Sequence, residues 1–123
     1  MLYKIIVPGK PVPKDRPRVN SSGKMYTPEK TKMYEELVAS KAREVMTVPL
    51  SGNVRVGIKI YGNKIKSDID NLAKSILDGL TKVAHNNDKQ VTVLTVEILK
   101  SSFERAEIEL SEIEEVRKDD KRY

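Results

Sequence analysis

Prolines crowd the segment between the first apolar stretch and the first clear helix. Five of the six prolines in this 123-residue chain fall at positions 8, 11, 13, 17 and 28. Proline lacks a backbone N–H and fixes φ near −65°, so this density excludes a helix and most sheet pairing. The sequence therefore predicts a long, semi-rigid loop over 8–28. A loop of that length in a small domain is usually either functional or disordered.

Helices and strands alternate on either side of this loop. Residues 2–7 are rich in strand formers, and Thr27, Pro28 and Glu29 are typical of a helix start, with Thr27 as the N-cap. Hydrophobic periodicity predicts the remaining elements, which are helices over about 28–46 and 69–83 and strands over 53–61, 91–100 and 103–110.

The order of these elements predicts an α+β two-layer sheet-and-helix domain with the order β-α-β-α-β-β. The last two strands are expected to pair with each other through the turn at 100–102. One domain over 1–123 suits the length, with 111–123 as a charged tail.

The basic charge is concentrated at one end of the chain. The formal net charge is +5, and residues 1–30 hold seven basic residues against two acidic ones, which accounts for all of it. A basic segment of this kind is the electrostatic footprint of a protein that binds a polyanion, most commonly a nucleic acid.

Composition narrows the chemistry that the chain can support. It has no cysteine and a single histidine, His85, so thiolate sites, disulfides and multi-histidine zinc sites are excluded. A metal would need oxygen ligands, which points to magnesium or manganese. No apolar run approaches the roughly 20 residues of a membrane span, and no signal peptide is expected. We therefore expect a cytoplasmic protein without a membrane partner.

Three carboxylates stand around the second predicted helix. Asp68 and Asp70 are two residues apart at its start, so in an extended segment they point the same way. Two adjacent carboxylates favour either a raised pKa or a shared divalent cation. Asp88 follows the helix, and Lys74 lies one turn beyond Asp70. Asp88 can reach the pair only if the chain folds back after the helix.

Each of these residues also has a purely structural interpretation. Asp68 is a good N-cap, Asp70 and Lys74 have the spacing of a surface ion pair, and Asp88 suits a turn. His85, in a polar turn without a partner ligand, is expected to be solvated. Asp78 is expected to be a solvated or structural acid.

The same residues carry a family resemblance that spans most of the chain. The pattern D-x-D-N-x-x-K over 68–74, the segment Asp78-Gly79-Leu80 and the pattern D-x-Q-V over 88–91 resemble the RusA family of Holliday-junction resolvases. The proline-rich segment 11–18, followed by Tyr-Thr-Pro at 26–28, is similar to the long N-terminal segment of that family. Asn87 stands where family members can carry a second acid.

The resemblance implies a magnesium-dependent, structure-specific endonuclease that acts as a homodimer on four-way junction DNA, with manganese as a possible substitute ion. It assigns catalysis to Asp68, Asp70, Asp88 and Lys74, with the three aspartates as metal ligands. The basic loop would then bind DNA through its phosphates, and its candidate residues are Lys10, Lys14, Arg16, Arg18 and Lys24.

Two other functions remain open from the sequence. The chain could be a degenerate resolvase that binds junctions or other DNA without cutting, with its acids serving only as caps. It could also be a phosphohydrolase of small nucleotides, although a dispersed basic loop suits a long polyanion better.

Overall fold

A computed structural model describes residues 1–16, 18–26 and 28–114. Its strands are β1 (Leu2–Pro8), β2 (Arg18–Val19), β3 (Met25–Tyr26), β4 (Asn53–Gly62), β5 (Val91–Lys100) and β6 (Arg105–Ile113). Its helices are α1 (Glu29–Val45) and α2 (Ile69–Leu80), and a 3-10 turn covers Asp88–Gln90. The predicted α+β class and the order of the main elements are confirmed.

Four of the strands form one mixed sheet in the order β1-β6-β4-β5. β6 is antiparallel to both of its neighbours, whereas β4 and β5 are parallel, as expected for strands joined by a helical crossover. The predicted hairpin between the last two strands is therefore wrong, because β4 lies between them. β6 has the alternating, fully buried face of a central strand, whereas β5 leaves Leu94 and Ile98 partly exposed at the edge.

Both helices cover the same face of this sheet. Along β4 every second side chain is buried, and α1 and α2 pack on this side and against each other. Gly79 allows their close approach, because a Cβ at this position would lie 2.7 Å from the Cβ of Val38. The packing fixes the start of α2, where the first two acids stand, relative to α1.

The ends of several elements differ from the prediction. α1 begins at Glu29, and Thr27, the predicted N-cap, lies outside the described residues. α2 ends at Leu80 because the chain turns at once, with Lys82 at a φ of 79°. β6 continues to Ile113, so the first residues of the predicted tail belong to the sheet, and 115–123 lie outside the described residues.

The segment between β1 and α1 contains a small hairpin that the prolines did not predict. β2 and β3 pair across a turn in which Asn20 accepts backbone N–H bonds and Gly23 adopts a φ of 79°. In the described part of the chain, neither helix has the length and hydropathy to cross a membrane.

Candidate active site

The N-terminal loop is fastened across both helices by buried polar groups. The Ser75 hydroxyl on α2 donates to the Val12 carbonyl at 2.6 Å, and the Thr31 hydroxyl on α1 donates to the Pro13 carbonyl at 3.1 Å. The Lys14 N–H donates to the Asn71 carbonyl at 2.8 Å. Ser75 and Thr31 are both fully buried. These bonds bring the basic loop to the N-terminal end of α2.

A polar cleft of about 590 Å³ opens where the loop meets α2. Its lining consists of three basic, three acidic and one amide side chain, namely Lys14, Arg16, Arg18, Asp15, Asp68, Asp70 and Asn71. Two predicted catalytic acids and three predicted DNA-binding residues therefore share one cleft. Lys10 and Lys24, the other two predicted DNA contacts, are exposed but do not line it.

The two acids at the start of α2 keep most of their oxygens free. Asp68 occupies the N-cap position with an extended backbone, yet its side chain makes no capping hydrogen bond. The Asp70 carboxylate accepts one bond, from the Asn71 N–H at 3.0 Å. Within the described residues neither carboxylate forms a salt bridge. The interpretations of Asp68 as a side-chain cap and of Asp70–Lys74 as an ion pair are therefore not observed.

Lys74 instead pairs with two other acids. Its Nζ lies 3.0 Å from Asp78 Oδ1 and 3.5 Å from Asp88 Oδ2. The hydrogen bond to Asp78, together with the charges of both acids, outweighs desolvation and raises the pKa of Lys74. The chain thus folds back after α2, as the function of Asp88 requires, and places Asp88 beside Lys74.

Asp78 joins this lysine to the basic loop. Its other oxygen, Oδ2, lies 3.1 Å from the Nζ of Lys14, which also pairs with Glu35 of α1 at 2.8 Å. Desolvation opposes the charge on Lys14, but the two carboxylates outweigh it and raise the pKa of Lys14. The structural interpretation of Asp78 is the one observed, and the Lys14 ammonium is occupied in anchoring the loop.

Asp88 has one oxygen turned toward the protein and one toward Lys74. Oδ1 lies 3.3 Å from Nε2 of His85 and 3.0 Å from the Thr81 hydroxyl, and Oδ2 faces Lys74. Burial alone would raise the pKa of the Asp88 carboxyl. The hydrogen bonds from His85 and Thr81, with the charge of Lys74, lower the pKa below its ordinary value, so the group stays ionised.

The turn that carries Asp88 is held by the side chain of Gln90. Its amide nitrogen donates to the Leu50 and Gly52 carbonyls at 2.8 and 2.9 Å, and its oxygen accepts the N–H groups of Asn86 and Asn87. The Asn87 side chain in turn accepts the Lys89 N–H. Asn87, where an acid can stand in relatives, therefore serves as the cap of this turn.

Comparison with known proteins bears on what this arrangement can do. Residues 8–111 match the family described as Endodeoxyribonuclease RusA. The chain belongs to the RusA family. A search of curated proteins gives no match. The RusA family consists of endodeoxyribonucleases that act on Holliday-junction DNA, and such nucleases generally use divalent metal ions.

The donors in this RusA-family chain suit such an ion, although they are not gathered into one cluster. Among the residues described, no three His, Asp or Glu side chains lie close enough together to hold a metal. Mg²⁺, however, is usually held by one or two protein carboxylates, with water and phosphate oxygens as its other ligands. Asp68 and Asp70, which share the cleft and keep free oxygens, meet that requirement.

Sequence reasoning missed the residues that position the site. His85, expected to be solvated, is fully buried against Asp88. Ser75 and Thr31 interrupt apolar helix faces as ordinary small polar residues, and nothing in the sequence indicated that they hold the loop. Gln90 alone carried a signal, because it belongs to the D-x-Q-V pattern.

Proposed function

We propose that this RusA-family chain is a magnesium-dependent endonuclease that resolves four-way DNA junctions by paired, symmetric nicks. The observation that carries the proposal is the cleft in which Asp68 and Asp70, with free carboxylate oxygens, face Arg16 and Arg18 of the anchored loop. A carboxylate pair beside guanidinium groups suits a phosphodiester with a bound cation better than it suits a structural role.

Asp68, Asp70 and Asp88 would hold the metal ion, with manganese as a substitute for magnesium. When bound, the ion would activate a water molecule and neutralise charge on the scissile phosphate. Lys74, already beside Asp88, would place its ammonium as a point charge against a phosphate oxygen. Its pairing with Asp78 and Asp88 keeps that charge near the cleft before DNA arrives.

The exposed cations of the loop would bind the DNA arms. Arg16 and Arg18 line the cleft, and Lys10 and Lys24 lie on the exposed surface of the same loop. Contacts of this type go to phosphates, so they would supply affinity and orientation without base recognition. Lys14 would contribute mainly by fixing the loop, because two carboxylates already neutralise it.

The proposed active form is a homodimer. A four-way junction can adopt two-fold symmetry, and its resolution requires one nick in each of two matching strands. Two copies related by a two-fold axis present two identical clefts in matching orientation. Sedimentation of the protein alone and with a four-way junction would give the number of chains in each species.

The test uses a supercoiled plasmid that extrudes a cruciform, with Mg²⁺ present. Paired nicks made while the protein is bound convert the plasmid to the linear form, whereas isolated nicks give open circles. We expect linear product from the wild-type chain, none from Asp70→Asn, and wild-type behaviour from Glu44→Gln, an exposed acid on α1. A linear duplex of the same sequence should remain uncut.

Two results would contradict the proposal. Binding of the cruciform without any cleavage in Mg²⁺ or Mn²⁺ would support a non-catalytic junction-binding protein. Equal cleavage of the linear duplex would remove the specificity for branched DNA.

A further inference from the structure

The single histidine of the chain lies directly behind one of the proposed metal ligands. His85 is fully buried, and its Nε2 is 3.3 Å from Oδ1 of Asp88. Its other ring nitrogen, Nδ1, is buried and has no hydrogen-bond partner among the described residues. A polar ring in such a place costs free energy unless its one contact is a good one.

The surroundings of the ring fix its tautomer. With the proton on Nε2, the ring donates to the carboxylate and leaves only an unprotonated Nδ1 without a partner. With the proton on Nδ1, a buried N–H would be unpaired and a lone pair would face the negatively charged Asp88 oxygen. The neutral ring therefore carries its proton on Nε2 and donates it to Oδ1.

The backbone of the turn holds the ring in this position. Leu50 forms a bridge with His85, and the Leu50 N–H donates to the Ala84 carbonyl at 2.8 Å. The His85 carbonyl accepts the Lys82 N–H at 2.6 Å, in a turn where Lys82 has a positive φ. The imidazole is thus fastened from its own backbone and has little freedom to follow Asp88 if that side chain rotates.

We propose that His85 is a positioning residue for Asp88, which holds Oδ1 against the protein so that Oδ2 alone is presented to the cation. This inference rests on the proposed function, in which Asp88 is a metal ligand. Hydrogen bonds from behind a ligating carboxylate fix its orientation, and their loss typically lowers metal affinity about 10–100-fold. The Thr81 hydroxyl, 3.0 Å from the same oxygen, assists, but its one hydrogen is shared with the Leu77 carbonyl, also at 3.0 Å.

The experiment measures Mn²⁺ binding to the full chain without DNA, from the EPR signal of free Mn²⁺. His85→Phe keeps a buried ring and removes the donor, whereas His85→Gln keeps an N–H near the position of Nε2. We expect roughly 10–100-fold weaker Mn²⁺ binding for His85→Phe and near wild-type binding for His85→Gln. Both variants should remain folded in circular dichroism spectra.

A double-mutant cycle separates positioning from general disturbance of the fold. In the Asp88→Asn background the change His85→Phe should have no further effect on Mn²⁺ affinity, because the group that it positions is gone. An additional loss in that background would mean that His85 acts by some other route, and would overturn the proposal.

The remaining outcomes are also decisive. If Asp88→Asn weakens Mn²⁺ binding and His85→Phe does not, the role of His85 is refuted while the proposed function stands. If Asp88→Asn has no effect, the metal-ligand assignment of Asp88 fails and this inference fails with it. Should His85→Phe not fold, ¹⁵N NMR of the wild-type ring decides, because a proton on Nδ1 would contradict the proposed bond.

Discussion

Asp78 links the basic loop, α1 and the proposed catalytic lysine, so its charge should matter for stability more than that of an ordinary surface acid. The perturbation is Asp78→Asn, which keeps the size and one oxygen acceptor but removes the negative charge. Its two oxygens now contact Lys14 at 3.1 Å and Lys74 at 3.0 Å.

The expected cost follows from the exposure of each partner. Asp78 and Lys14 are about three-quarters buried, so their contact falls in the range of about 1.5–3 kcal/mol for hydrogen bonds to charged groups. Lys74 is half exposed, and its i, i+4 pair adds only about 0.3–0.5 kcal/mol. Lys14 keeps Glu35 as a partner, which places the net loss near the lower end, at about 2 kcal/mol.

The assay is urea unfolding followed by circular dichroism at neutral pH, with Glu44→Gln as the matched control. Glu44 pairs with Lys41 on the surface of α1 at 3.4 Å, and its loss should cost less than about 0.5 kcal/mol. The effect of Asp78→Asn should largely persist in 1 M salt, since screening acts mainly on exposed pairs. A loss no greater than that of the control would refute the proposed linkage.

Three further predictions concern packing, a buried hydroxyl and DNA binding. Gly79→Ala should destabilise by about 1–2 kcal/mol in urea unfolding, because a Cβ would lie 2.7–2.8 Å from α1, whereas Gly57→Ala, with its nearest atom at 3.3 Å, should not. Tyr34→Phe should stabilise by about 1 kcal/mol, because burial raises the pKa of Tyr34 and its hydroxyl has no partner among the described residues; a loss of stability would reveal a hidden one. Changing Arg16 and Arg18 to Ala should weaken junction binding and reduce its salt dependence by about 0.9 in log–log slope per phosphate contact, with an unchanged melting temperature; unchanged affinity would exclude the loop from the DNA surface.

Local periodicity was enough to predict the helices and most strands, because each signal lies within a few residues of sequence. The strand order was not predictable in the same way. β5 is rich in apolar residues and reads like a core strand, yet it lies at the edge, whereas the more charged β6 lies in the centre. Which strands pair depends on contacts between distant segments, and no local pattern encodes them.

The candidate site divides along the same line. Asp68 and Asp70 could be named from their spacing, and the resemblance added Asp88 and Lys74. The means by which the chain assembles them could not be read, because a buried Ser75 and a buried His85 look like surface residues in the sequence. Their roles come from hydrogen bonds to groups far along the chain or across a turn.

Cleavage of a labelled four-way junction by the wild-type chain and by Asp70→Asn, with binding measured in parallel, tests the central claim most directly. Asp70 belongs to the cleft but to no salt bridge of the described residues, so its loss should leave the fold intact. We expect Mg²⁺-dependent cleavage by the wild-type chain and none by Asp70→Asn, with junction binding in Ca²⁺ within about threefold, because phosphate contacts supply the affinity. Undiminished cleavage by a folded Asp70→Asn chain would contradict the account.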